Sequence, residues 1–244
     1  MSSSLVKVRD LYASDLALTA QLHHEVLNME FLSRCGLAFL KRYQRAWMES
    51  PAGISIVAVN DDNEPLGILL GSIDPALHVK NMFTSSGVAL LLLLIAHAAL
   101  HPSFAYELIK TRTVRYIRGA LRISAKGLAS RIRPQTLQQG DVVTLETQTE
   151  NLGDLETPEI SQIPRIGEVT HLLVDHRAQG QGIGRLLTDE AVKRGELAGL
   201  NKFVLVTPPD LKARQFYEHL GWIEGEPLTS KSGEPFVQYY FPLP

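Results

Sequence analysis

The stretch VDHRAQGQGIGRLL, Val174 to Leu187, constrains the fold more than any other part of the chain. An apolar, strand-like run, EVTHLLV, leads into it, and an amphipathic, helix-like run, RLLTDEAVKRGELAG, leads out. Between them Gly180, Gly182 and Gly184 stand at alternate positions, with Gln179 and Gln181 interleaved. Glycine admits positive φ and lets a ligand lie against bare backbone. A loop of this kind at a helix start aims free N–H groups outward, and the helix dipole reinforces them. The spacing therefore predicts a strand, a cradle for an anionic phosphate-like group, and a helix.

Several known loops share that logic. A P-loop would end in Lys followed by Ser or Thr, whereas Gly184 is followed by Arg185 and Leu186. A dinucleotide fingerprint would read G-x-G-x-x-G beside a first strand, with an acid some 20 residues on. Here the spacing is G-x-G-x-G, far toward the C-terminus. A glycine-rich turn without a ligand is the plain alternative.

The remaining periodicity gives a coarse layout. LVKVRDL reads as a first strand, and Ser14 is placed to cap a helix through DLALTAQLHHEVLNM. GLAFLKRYQRAWMES reads as a second helix stopped by Pro51. ISIVAVN and PLGILLGSI, joined by DDNE, read as a hairpin. Regular order resumes with EVTHLLVD, then the glycine stretch, KFVLVT, LKARQFYEHLG and a closing strand FVQYYF.

Two of these segments together resemble the GNAT superfamily of acetyl-coenzyme A-dependent N-acetyltransferases. Its pyrophosphate motif, Q/R-x-x-G-x-G/A, is matched by Gln179, Gly182 and Gly184, with Gly180 and Arg185 also common in relatives. LLVDHR resembles the family's fourth strand, and ARQFYEHLGW resembles its next motif, a short helix that carries a tyrosine. The family often has Asn seven residues before that tyrosine, and this chain has Asp210 there, a residue that can still cap a helix. The resemblance implies an α/β (α+β) GNAT fold, a mixed central sheet flanked by helices. It implies a single N-acetyltransferase domain, 1–244, with residues 75–165 inserted as a helical segment between the third and fourth strands. It implies acetyl-CoA as cosubstrate, held by Leu173, Val174, Gln179, Gly180, Gln181, Gly182, Ile183, Gly184, Arg185, Asp210 and Ala213. The acceptor expected is a primary amine of a small molecule or peptide.

Amide formation sets the further requirements. An ammonium has no lone pair, so the acceptor must lose a proton before it attacks the thioester, and the departing thiolate is best protonated as it leaves. Backbone donors on the fourth strand can polarise the carbonyl. By resemblance Tyr217 is the expected general acid. Glu168 and His171 are the two base candidates, the first by position in the family, the second by its near-neutral ordinary pKa. Strand alternation puts them on opposite faces unless a bulge intervenes. A water chain is the third option. Cys35 could carry an acetyl group in a ping-pong scheme, but reads better as a small apolar residue. No metal is expected.

Composition bounds the partners. Lys plus Arg, 24, nearly balance Asp plus Glu, 26, so no nucleic-acid partner is expected. A lone cysteine excludes an intramolecular disulfide, and with MSSSLVKVRDL in front it points to a cytoplasmic protein. GVALLLLLIAHAAL, Gly87 to Leu100, stops at His101–Pro102. As a helix of about 14 residues it rises roughly 21 Å, short of the roughly 30 Å hydrocarbon core. It is expected to be buried within the chain and in a homodimer, with peripheral membrane contact as the alternative. Val114, Ile117, Leu121 and Leu128 then fall at helical spacing beside Arg115, Arg118, Arg122 and Lys126. A coenzyme A-binding sensor or scaffold, docking through this apolar segment without catalysis, is the second functional reading.

Overall fold

The computed structural model describes residues 6–28, 30–108, 164–209, 212–229, 233 and 235–244. The chain divides into two compact units, one formed by residues 1–100 with 164–244, the other by 101–163. Of the second unit only 101–108 are described; they carry helix α6, Pro102–Leu108. The arginine-bearing segment from Val114 to Leu128 and the cofactor candidate Asp210 lie outside the described residues.

The first unit is built on a seven-stranded sheet ordered β1-β2-β3-β4-β5-β7-β6. In chain order it holds β1 (Lys7–Asp10), α1 (Leu16–Val26), α2 (Phe31–Arg34), α3 (Leu37–Glu49), β2 (Gly53–Val59) and β3 (Pro65–Ser72). Then come α4 (Pro75–Asn81), a π-helical turn (Met82–Ser86) and α5 (Gly87–Leu100). After the second unit follow β4 (Ile166–Val174), α7 (Ile183–Leu197), β5 (Lys202–Thr207), α8 (Ala213–His219), β6 (Ile223–Thr229) and β7 (Pro235–Pro242). Only β4 and β5 run parallel; every other neighbouring pair is antiparallel, so the sheet is mixed as expected.

Helices cover the sheet on both sides, which is why β2 and β3 read as continuous apolar runs and not as alternating ones. α7 packs Ile183, Leu187 and Ala191 against Ile54, Ile56, Ala58, Leu69 and Val169. α1 and α3 contact β3 and each other. α3 buries Phe39, Leu40, Tyr43, Gln44 and Trp47 at helical spacing, and the buried Thr19 hydroxyl donates to Gln44 Oε1 at 2.7 Å to tie α1 to α3.

Three expectations change. Ser14 does not cap α1; Asp15 sits at that position, and its carboxylate accepts from the Tyr12 N–H (2.8 Å) and from Arg9 (2.7 Å). The strand β6 was not foreseen. It is an edge strand, exposed at most positions, so it carries no apolar alternation. The apolar helix is longer than its leucine run. α4, the π turn and α5 form one continuous helix, Pro75–Leu100, of 26 residues, with an 18-residue stretch of mean hydropathy 2.0. It rises about 39 Å, so shortness no longer argues against a membrane span. No residue of α5 is fully buried, and Val88, Leu91, Leu92 and Ile95 are exposed. The expected burial within the chain is therefore partial, chiefly against α3, where His97 lies close to Gly36.

Candidate active site

The glycine loop folds as its composition predicts. Asp175 accepts from the Arg177 N–H at 2.9 Å and so fixes a short 3-10 turn, His176–Ala178, at the exit of β4. Gly180 and Gly182 both take positive φ, +77° and +80°, and Gly182 is the residue that caps α7. A Cβ at either would meet nothing within 4 Å, so the left-handed backbone is what requires glycine there. Gly184 has another reason: its Cβ would lie 2.9 Å from Cζ of Phe216, so it lets α7 approach α8. The first N–H groups of α7 have no intrahelical partner and stand beside these exposed glycines.

The sequence-predicted cofactor residues divide by what they can offer. Gln179, Gln181 and Arg185 are exposed. Gln179 Nε2 donates to the Val174 carbonyl (3.3 Å) and Gln181 Nε2 to that of Arg177 (3.2 Å), which stiffens the loop. Leu173 and Ile183 are each 1% exposed, so their side chains belong to the core and only their backbone can reach a ligand. Val174 packs close to Gly184. Ala213 opens α8.

Beside the loop the sheet itself opens. β4 and β5 pair only at Ile166↔Lys202, Gly167↔Phe203 and Glu168↔Val204. Among the described residues β4 pairs from Val169 to Val174 with β3 alone, which leaves one edge of its backbone there without a strand partner. Such an edge supplies donors and acceptors to an extended, amide-bearing ligand, and a donor for a developing oxyanion. Tyr217, on α8, is buried among Trp222, Tyr239 and Phe216. Burial holds its hydroxyl pKa up, at about 12, so the group carries its proton at neutral pH.

The opposite face of β4 holds the base candidates. Leu70 pairs with His171 and Gly71 with Val169, so Thr170 is an extra residue, a bulge. The bulge turns Glu168 and His171 to one side, the side of α1 and α3. Both are half-buried. Burial raises the Glu168 pKa above its ordinary value, with Thr170 partly opposing it. Burial lowers that of His171 to about 4.

Three residues that the sequence did not single out join them. Tyr43 Oη lies 3.1 Å from His171 Nε2, and the His23 ring meets the His171 ring edge-on with centroids 5.0 Å apart. Glu30, the residue before α2, places Oε2 3.9 Å from His23 Nε2. Positions 23, 30, 43 and 171 share no spacing, so only the His23–His24 pair in α1 hinted at them. Cys35, by contrast, is 1% exposed and donates to the Phe31 carbonyl, which removes it from the chemistry.

In this mixed sheet the two parallel strands, β4 and β5, part beside the glycine-capped helix α7. The family model for the Acetyltransferase (GNAT) domain matches residues 122–242, and the chain belongs to the GNAT acetyltransferases. It is thereby an acyltransferase. Solved structures agree in fold. A chimera of Vibrio cholerae spermidine N-acetyltransferase SpeG and hSSAT superposes with TM-score 0.55 at 13% identity, covering 98% of this chain and 96% of that one. The NatC complex bound to Gag peptide and CoA gives TM-score 0.51 at 12% identity, covering 98% and 99%. Chaetomium thermophilum Naa20 with a bisubstrate analogue gives TM-score 0.51 at 16% identity, covering 97% and 86%. No curated protein matches the chain.

Proposed function

We propose that this acetyltransferase moves the acetyl group of acetyl-CoA to a primary amine of a small molecule or peptide by direct attack in a ternary complex. The observation that carries the reading is the pairing of two features. Positive-φ Gly180 and Gly182 at the start of α7 lie next to a β4 edge that no strand covers among the described residues. The first suits a pyrophosphate and the second the amide-bearing arm that follows it. Gln179 to Arg185, with Leu173, Val174, Ile183, Asp210 and Ala213, would form the donor site.

In this reading the acceptor approaches from the α1–α3 side of β4, where Glu168 or His171 takes its proton. The nitrogen lone pair then attacks the thioester carbonyl, whose oxygen leans on a β4 backbone N–H. Collapse breaks the C–S bond, and the Tyr217 hydroxyl protonates the leaving thiolate. NatC holds a peptide with CoA, Naa20 holds a bisubstrate analogue, and SpeG is a spermidine N-acetyltransferase, which supports a peptide or small-molecule amine here.

The test is thiol release from acetyl-CoA against a panel of polyamines, amino sugars and peptide N-termini. Amine-dependent release with matching acetylated product is expected. Tight acetyl-CoA binding with no release across the panel would favour the sensor reading. The exposed face of α5 supports a homodimer, with a membrane surface as the competing cover.

A further inference from the structure

We propose that His23, Glu30 and His171 form a site for one divalent transition-metal ion of the zinc class, on the α1–α3 side of the sheet. One ligand atom from each residue can be chosen so that all three lie within 4.8 Å of one another. The residues come from three separate elements: α1, the turn before α2, and β4. They are two imidazoles and one carboxylate, a donor set that suits zinc with a fourth position left for water or another ligand. The site is empty.

His23 keeps both ring nitrogens available for coordination among the described residues. Its side chain is fully buried, yet neither ring nitrogen has a hydrogen-bond partner. A neutral imidazole carries one donor and one acceptor, and burying both unpaired is unfavourable. Glu30 Oε2 lies 3.9 Å from Nε2, too far for a hydrogen bond. Two donors bound about 2.0–2.2 Å from a tetrahedral zinc ion stand roughly 3.3–3.6 Å apart. Small rotations of Glu30, whose side chain is 43% exposed, bring it to that separation.

The protonation states fit. Burial, with His171 and His24 as lesser causes, holds the His23 pKa down at about 3, and His171 is held near 4. Both rings are therefore neutral and ready to coordinate at physiological pH. Tyr43, 3.1 Å from His171 Nε2, orients that ring as an outer partner. The bulge at Thr170 is what turns His171 toward the other two.

A metal-bound His171 could not also take the acceptor's proton, so an occupied site would leave Glu168 as the base; metal binding is therefore read without turnover. Chelator-treated full-length protein would be titrated with Zn2+ by calorimetry and with Co2+ by visible absorption. One equivalent per chain is expected, with Co2+ d–d bands of a nitrogen- and oxygen-ligated site. Glu30→Gln and His171→Ala should each weaken binding by more than about 100-fold, beyond the roughly 10–100-fold loss typical of outer partners such as Tyr43. His23→Gln is the harder variant, since that ring is fully buried; the other two, checked for fold by circular dichroism, carry the test if it fails to fold. Stoichiometry and affinity unchanged in folded Glu30→Gln and His171→Ala proteins would overturn the site, as would no ordered Co2+ spectrum.

Discussion

Glu168 and His171 face the same side of β4, although they stand three positions apart. Their partners on β3, Ser72 and Leu70, are two apart, and the odd residue is absorbed at Thr170. Regular alternation would have sent one of them into the α7 side of the core. The bulge thus gathers two titratable groups at the point where β4 and β5 part, just after Glu168↔Val204. Bulges recur beside active sites for this reason: they re-aim a side chain without breaking the sheet.

The two groups are separable by pH. A general base works deprotonated, so activity falls as pH drops through its pKa. Burial raises that of Glu168 and lowers that of His171 to about 4, which brings two chemically different groups toward the same acidic range. Position of the limb alone therefore does not assign it. The rate profile of kcat/KM for Glu168→Gln and His171→Ala does: the base is the residue whose loss abolishes the acidic limb and lowers the plateau by roughly 10²–10⁴-fold. A limb intact in both variants would assign deprotonation to water.

Tyr217→Phe should lower kcat by roughly 10²-fold and leave acetyl-CoA affinity nearly unchanged, because the ring and its contacts with Trp222 and Tyr239 stay in place. The hydroxyl is held protonated by burial, which suits donation to a thiolate. Wild-type turnover in the variant would reduce Tyr217 to packing.

Gly182→Val should weaken acetyl-CoA binding at least tenfold, about 1.4 kcal/mol. The reason is conformational: φ of +80° is open to glycine and closed to a β-branched residue, so the cap of α7 must rearrange. Calorimetry on the folded variant measures it. Affinity equal to wild type would place the donor's phosphates elsewhere.

How far was this legible in the sequence? The glycine loop was, because φ preferences and helix-start chemistry are local. So were β2, β3 and α3, whose apolar runs are complete within one segment. The bulge at Thr170 was not, since it depends on the register against Gly71, about a hundred residues back along the chain. Nor was the cluster of His23, Glu30, Tyr43 and His171, which long-range folding assembles from positions without a common period. Asp15 displaced Ser14 as the residue at the start of α1 because Arg9 on β1 is there to pair with it, again a tertiary matter. The join of α4 to α5 was missed because Phe83 to Ser86 carry three hydroxyl residues that read as a break, whereas Thr84 and Ser85 bond back to helix carbonyls, Lys80 and Asn81.

Gly71→Ala tests the bulge. A Cβ there would lie 2.7 Å from the Glu168 carbonyl oxygen, a backbone atom that cannot step aside without moving the strand. We expect a loss of about 1–3 kcal/mol in denaturant unfolding, the usual range for an overpacked site. Activity at saturating acetyl-CoA should fall further than stability alone explains, because Glu168 and His171 move with the bulge. A variant with wild-type stability would show that β3 can relax around the methyl group.

The last prediction concerns α5. Its fourteen residues are apolar at every position but His97, yet the structure leaves none of them buried and exposes Val88, Leu91, Leu92 and Ile95. A helix apolar on every side is stable in water only when covered. α3 covers one strip, around Gly36 and His97. The rest can be covered by a second copy packing the same face against itself, the arrangement expected of the commonest oligomers. It can also be covered by a membrane, which the 26-residue length of the continuous helix now permits by length and composition. Light scattering on protein purified without detergent should give a dimer, and Leu91→Glu with Leu92→Glu should convert it to monomer without loss of fold. Flotation with liposomes is the parallel measurement: a chain that floats, and stops floating in the same double variant, assigns the face to lipid. A wild-type protein that is monomeric and ignores liposomes would refute both covers and require residues of this same chain to lie over α5.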